Sequence, residues 1–115
     1  MIMNDYIDIF EKFSDNKKVL DCINELKTLR FYYEAKQYDQ LRDFVQHIIS
    51  KYPNEAYRWN VKHPIMPKDT DSLYVGAVEF MCVQTIKEIS IAVSNYLDFL
   101  TEEEKAILDV LIRAL

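Results

Sequence analysis

Few side chains in this sequence have the type and spacing that chemistry requires. Asp43 and His47 stand four apart in a helical pattern, which puts them on one face and lets them offer two ligands to one metal ion. No His-Glu-x-x-His or Cys-x-x-Cys pattern accompanies them, so a third ligand would have to come from elsewhere. The pair reads as a solvated contact on an outer helix face. Cys22 and Cys82 both fall on apolar helical stretches, and Met81 and Val83 beside Cys82 supply no cation to favour a thiolate. Two buried free thiols are expected, as in a reducing compartment. Gly76 is the single glycine, so no glycine-rich phosphate loop can be built. The expectation is a protein with no metal and no cofactor.

The residues best suited to binding lie between Pro53 and Asp71, a stretch that holds all three prolines and the only tryptophan. Nineteen residues without clear periodicity read as a long loop (53–71), and loops of that length are usually functional or mobile. Tyr57, Trp59, Val61, Ile65 and Met66 favour burial, and Pro64 and Pro67 fix an extended path around Ile65-Met66. A rigid connector folded over the end of a bundle is one expectation. A binding surface is the other, because tyrosine, tryptophan and arginine are the usual anchors of protein interfaces. The candidate contacts are Tyr57, Arg58, Trp59 and His63.

Within that stretch, Arg58-Trp59-Asn60-Val61-Lys62-His63 spaces an arginine and a histidine by four residues. This is similar to the motif of the HEPN superfamily of all-helical proteins, many of them ribonucleases in toxin–antitoxin pairs. The resemblance implies that His63 exchanges a proton at a 2′-hydroxyl or its leaving group while Arg58 holds the phosphate bidentately. In that family asparagine commonly follows the arginine and the motif opens a helix. Here Trp59 follows Arg58, and Pro64 comes directly after His63. Catalysis by Arg58 and His63 is therefore the alternative reading; an ordinary loop histidine is preferred.

These residues must be positioned by helices. The organising stretch is about Ser72 to Leu100, apolar on every side, which marks a buried helix. Its start, Leu73 to Met81, also has the composition of a strand. The continuation through Gln84-Thr85-Ile86-Lys87-Glu88-Ile89 favours helix. Charged and polar residues interrupt the run before it reaches the ~18–20 apolar residues of a membrane span. Around it come shorter amphipathic segments. Ile2, Tyr6, Ile9, Phe10 and Phe13 form one stripe, with Asp5, Asp8 and Glu11 outside it. A second helix runs about Asn16 to Ala35 behind the cap residues Ser14-Asp15-Asn16, and a third about Tyr38 to Lys51, stopped by Pro53.

Tyr32, Gln37-Tyr38-Asp39, Leu41, Val45, Ile48 and Pro53 resemble one tetratricopeptide-type helix pair, spanning about Glu25 to Pro53. Leu29 stands where glycine is usual, large Leu41 and Ile48 replace small residues, and no second copy occurs. The resemblance implies an antiparallel helical hairpin and, by analogy, a protein-binding scaffold.

Thr101-Glu102-Glu103-Glu104 is a capping box with three acids at the positive end of a last helix, about Glu102 to Leu115. Ile107, Val110, Leu111 and Ala114 are assigned to the core. Leu108, Ile112 and Leu115 form a second stripe that suits a partner or a homodimer contact, with burial of both stripes inside one small bundle as the equal alternative.

One all-α domain over residues 1–115 is expected, a compact bundle of about five helices around the long central one. Met1-Ile2-Met3 leads into Asn4-Asp5 with no basic or apolar leader, so a cytoplasmic protein is expected. The net charge of -5 opposes nucleic-acid binding. The functional expectation is a small acidic interaction module, an immunity- or antitoxin-type inhibitor or an adaptor. It would occlude a basic partner through the four loop residues, with Asp5, Asp8 and Glu11 as secondary contacts.

Overall fold

Capping and amphipathic periodicity are realised as helix throughout. The computed structural model describes residues 3–115, so Met1 and Ile2, the latter part of the first expected stripe, lie outside the described residues. The fold is all-α. Six α-helices and two short 3₁₀ turns are present among the described residues, and no strand. In order they are α1 (Met3–Phe10), a 3₁₀ turn (Glu11–Phe13), α2 (Lys17–Glu34), α3 (Tyr38–Lys51), α4 (Pro53–Asn60), α5 (Thr70–Ala92), a second 3₁₀ turn (Tyr96–Phe99) and α6 (Glu102–Arg113).

The chain divides into two units, one of residues 1–26 with 81–115 and one of residues 27–80. In the first unit α1 packs on α6. Lys12 and Glu104 are hydrogen-bonded as an ion pair, and Phe13 meets Phe99 edge-on at 6.5 Å between ring centres. Phe10, Val19, Cys22, Ile23, Leu26, Met81, Ile86 and Ile89 are buried there. The Asn16 Oδ1 accepts from the backbone N–H groups of Lys18 and Val19 at 3.0 and 3.2 Å, satisfying two of the orphan donors that open α2. At α6 the capping box is closed in both directions: the Glu104 N–H donates to Thr101 Oγ1 at 3.1 Å, and the Thr101 N–H donates to Glu104 Oε1 at 2.9 Å.

In the second unit α3 adjoins α4, and Leu41, Val45, Ile48, Ala56, Leu73, Ala77 and Phe80 are buried. α2 ends in a left-handed turn at Lys36 (φ 58°), with the Gln37 N–H reaching back to the Tyr32 carbonyl at 2.9 Å. This cap makes the turn between α2 and α3. Asp69 opens α5, its Oδ2 accepting from the N–H and hydroxyl of Ser72 at 3.0 and 2.7 Å. Those donors hold the Asp69 carboxyl below the usual carboxylate range.

Three differences from the sequence reading have physical causes. The stretch 53–71 is not loop throughout, because α4 occupies its first eight residues. Pro53 both ends α3 and starts α4, since its fixed φ and missing N–H suit the first turn of a helix. The long helix ends at Ala92 rather than Leu100. Ile91 is 77% exposed, so burial no longer supports the helix, and Ser94 and Asn95 favour turns. In α6 the two expected stripes are mixed: Leu111 is buried and Leu115 exposed as assigned, but two positions change sides. Leu108 is buried (1% exposed), whereas Val110, assigned to the core, is 70% exposed.

Candidate functional site

α4 positions the residues singled out for binding. Pro53 and Glu55 favour its N-terminal turn, and Ala56 is buried as its inward anchor. Four residues apart on its outer side, Tyr57 (76% exposed) and Val61 (77%) stand in solvent, although both types favour burial. Arg58 lies in the last turn of the helix and reaches back to Glu55 at 3.8 Å. Trp59 is half-buried, edge-on to Phe80 at 5.8 Å, and the His63 ring stacks on the Trp59 ring at 4.3 Å between ring centres. The helix is closed by the His63 N–H donating to the Trp59 carbonyl at 3.0 Å.

The residues after α4 are tied down. The Arg42 Nη2 donates to the carbonyls of Pro67 and Lys68 at 3.0 and 2.6 Å, a clamp from α3 onto the extended segment. Beneath it, Val45, Ile48, Trp59, Ile65, Gly76 and Phe80 line an apolar cleft of about 20 Å³, room for roughly one water molecule. The platform therefore presents an outer surface rather than a pocket for a small molecule.

Of the predicted contacts, the structure brings Trp59 and His63 together, while Arg58 is engaged with Glu55 instead. Among the described residues no hydrogen bond joins Arg58 to His63. The motif closes a helix rather than opening one, contrary to the family pattern it resembles. Asp5, Asp8 and Glu11 are exposed on and just after α1, in the first unit, whereas Tyr57, Arg58, Trp59 and His63 belong to the second.

The oligomer stripe changes most. Buried Leu108 cannot meet a partner; Ile112 is half-buried and Leu115 is half-exposed beyond the helix. Asp43 and His47 are both exposed, with His47 tilted against Phe44. Among the described residues no three His, Cys, Asp or Glu side chains are grouped to hold a metal, and no helix is long and apolar enough to cross a membrane. Cys22 and Cys82 are buried and are not joined in a disulfide.

Sequence reasoning missed one surface. Phe13, Asp15, Asn16, Ala92, Val93 and Phe99, with Lys12, line an open groove of about 610 Å³ in the first unit. Phe99 is 60% exposed on it. Its position at the supposed end of a continuous central helix concealed this: once α5 stops at Ala92, the following turn carries Phe99 round to Phe13.

No family model, no curated protein and no solved structure matches this chain.

Proposed function

We propose that this protein is a small acidic interaction module that acts by occluding a partner protein, in the manner of an immunity- or antitoxin-type inhibitor or an adaptor. The observation that carries the reading is the α4 platform. Tyr57 on α4 and Val61 at its C-cap are both exposed, and the other side of the helix is anchored through Ala56 and the Trp59–Phe80 contact. Such rigid aromatic anchors lose little conformational entropy on binding and dominate interface energetics. Arg58 adds an exposed cation at the edge, and the Trp59–His63 stack limits motion of the segment that follows.

Purification of the tagged full chain from its native host, followed by mass spectrometry, tests the reading. A stoichiometric protein partner retained by the wild type and released by Tyr57→Ala is the expected result. Tyr57 is exposed, so its truncation leaves the fold intact and reports on contact alone. Recovery of no stoichiometric partner counts against the module, and cleavage of RNA by the purified chain, abolished by His63→Ala, would replace it with the ribonuclease alternative.

A further inference from the structure

A second surface points to the chemistry of a partner. The groove in the first unit is open, and its floor and walls are mainly apolar: Phe13, Ala92, Val93 and Phe99. Phe13 and Phe99 form an edge-on pair that fixes one wall. A volume of about 610 Å³ is large enough for a few side chains and falls in the range of sites that bury a bound group. Lys12 stands at the rim, but its charge is matched by the ion pair with Glu104, and Asp15 is an exposed acid on the same rim.

Charge decides among the occupants. The unit that bears the groove carries twelve acidic and six basic side chains, whereas the other unit carries seven and eight. All of the chain's excess negative charge therefore belongs to the groove-bearing unit. A second copy docking its own groove-bearing unit there would bring like charges together, and phosphate-rich surfaces, whether nucleic acid or anionic lipid, would be repelled as well. An apolar groove within an acidic unit complements a segment that offers apolar anchors on one side and lysine or arginine on the other.

We infer that the groove between the Phe13–Asn16 turn and the Ala92–Phe99 segment seats the apolar anchors of a basic amphipathic segment of a partner protein. This rests on reading the chain as a partner-binding protein, and it adds a contact surface separate from the α4 platform. Apolar side chains of the segment fill the space beside Phe99, and its cations are drawn by the excess negative charge of the unit that holds the groove. Electrostatic attraction speeds encounter, and the buried anchors set the lifetime of the complex.

Nuclear magnetic resonance with the ¹⁵N-labelled full chain provides the test, using a synthetic helical peptide of leucine and lysine with leucine on one face. Amide shifts should concentrate at Phe13, Asn16, Val93 and Phe99. Affinity should fall at least tenfold for Ala92→Arg or Phe99→Asp, should be unchanged for Phe31→Ala, an exposed residue of the other unit, and should weaken as salt is raised. The same peptide with glutamate in place of lysine should not bind. The inference is overturned if shifts are absent, if they scatter over acidic residues without the groove, or if the glutamate peptide binds equally well. Binding to anionic vesicles, or a dimer in light scattering that Ala92→Arg dissolves, overturns it in favour of a lipid or a second copy. Loss of the partner through Tyr57→Ala bears on the platform and leaves this surface standing, so the two readings fail separately.

Discussion

Tyr33 shows how much one side chain can fix. Its hydroxyl donates to the Asp71 carboxylate at the start of α5, and its ring stacks on Tyr74 at 3.9 Å. Donation to an anion, with burial adding to it, pushes its pKa from 10.0 up to about 12. A raised pKa means the contribution is fully present below the unfolded value of about 10 and is lost as pH rises through about 12. Absorbance titration of tyrosinate should show one tyrosine ionising late, and that late component should vanish in Tyr33→Phe. Gly76 offers a contrasting test. It lies inside the unbroken helix α5, and an added Cβ would meet nothing within 4 Å. Gly76→Ala should therefore stabilise the chain by about 0.5–1 kcal/mol, the helix-interior difference between the two residues, measured by denaturant unfolding. Destabilisation would mean that the cleft beneath Ile65 cannot spare the space.

At the scale of elements, α6 is the clearest case. Its capping box, with Lys12 and then the Thr101 N–H as donors, holds the Glu104 carboxyl below its ordinary range. A depressed carboxylate contributes stability above its unfolded pKa and loses it as pH falls through the folded value. Thr101→Ala should cost about 1 kcal/mol at neutral pH, and a Glu104→Gln chain should lose less stability than the wild type on acidification. The two faces of the same helix should differ sharply. Leu108→Ala removes a buried side chain and should cost about 2–5 kcal/mol, while Val110→Ala should stay within about 0.5 kcal/mol of wild type. Equal effects would contradict the face the structure buries. α4 carries a related lesson: Pro53 was legible as a stop signal, but the same proline also begins the next helix.

For the whole molecule, the separation of charge between the two units is the dominant feature. The first unit carries twelve acids against six bases, so its excess carboxylates repel one another, while exposed pairs such as Lys17–Asp21 and Arg113–Asp109 are each worth little. Raising ionic strength from about 0.01 to 0.15 M shortens the screening length from roughly 30 to 8 Å and should raise the thermal midpoint. A falling midpoint would show that the ion pairs prevail over the repulsion.

Much of this was legible in the residues alone. The all-α class, the bounds of α3, the Asn16 cap and the Thr101–Glu104 box follow from periodicity and capping chemistry, which act within a turn or two of chain. The candidate residues on α4 were legible by type, but their exposure was not, because composition alone placed Tyr57 and Val61 among residues that favour burial. Which stripe of α6 turns inward, where α5 stops and that a groove forms beside Phe99 were decided by tertiary structure. Those outcomes depend on partners far apart in the chain, α1 against α6, Lys12 against Glu104 and Phe13 against Phe99. A local pattern says that a helix has an apolar side; only packing against distant residues decides which of two such sides is removed from water.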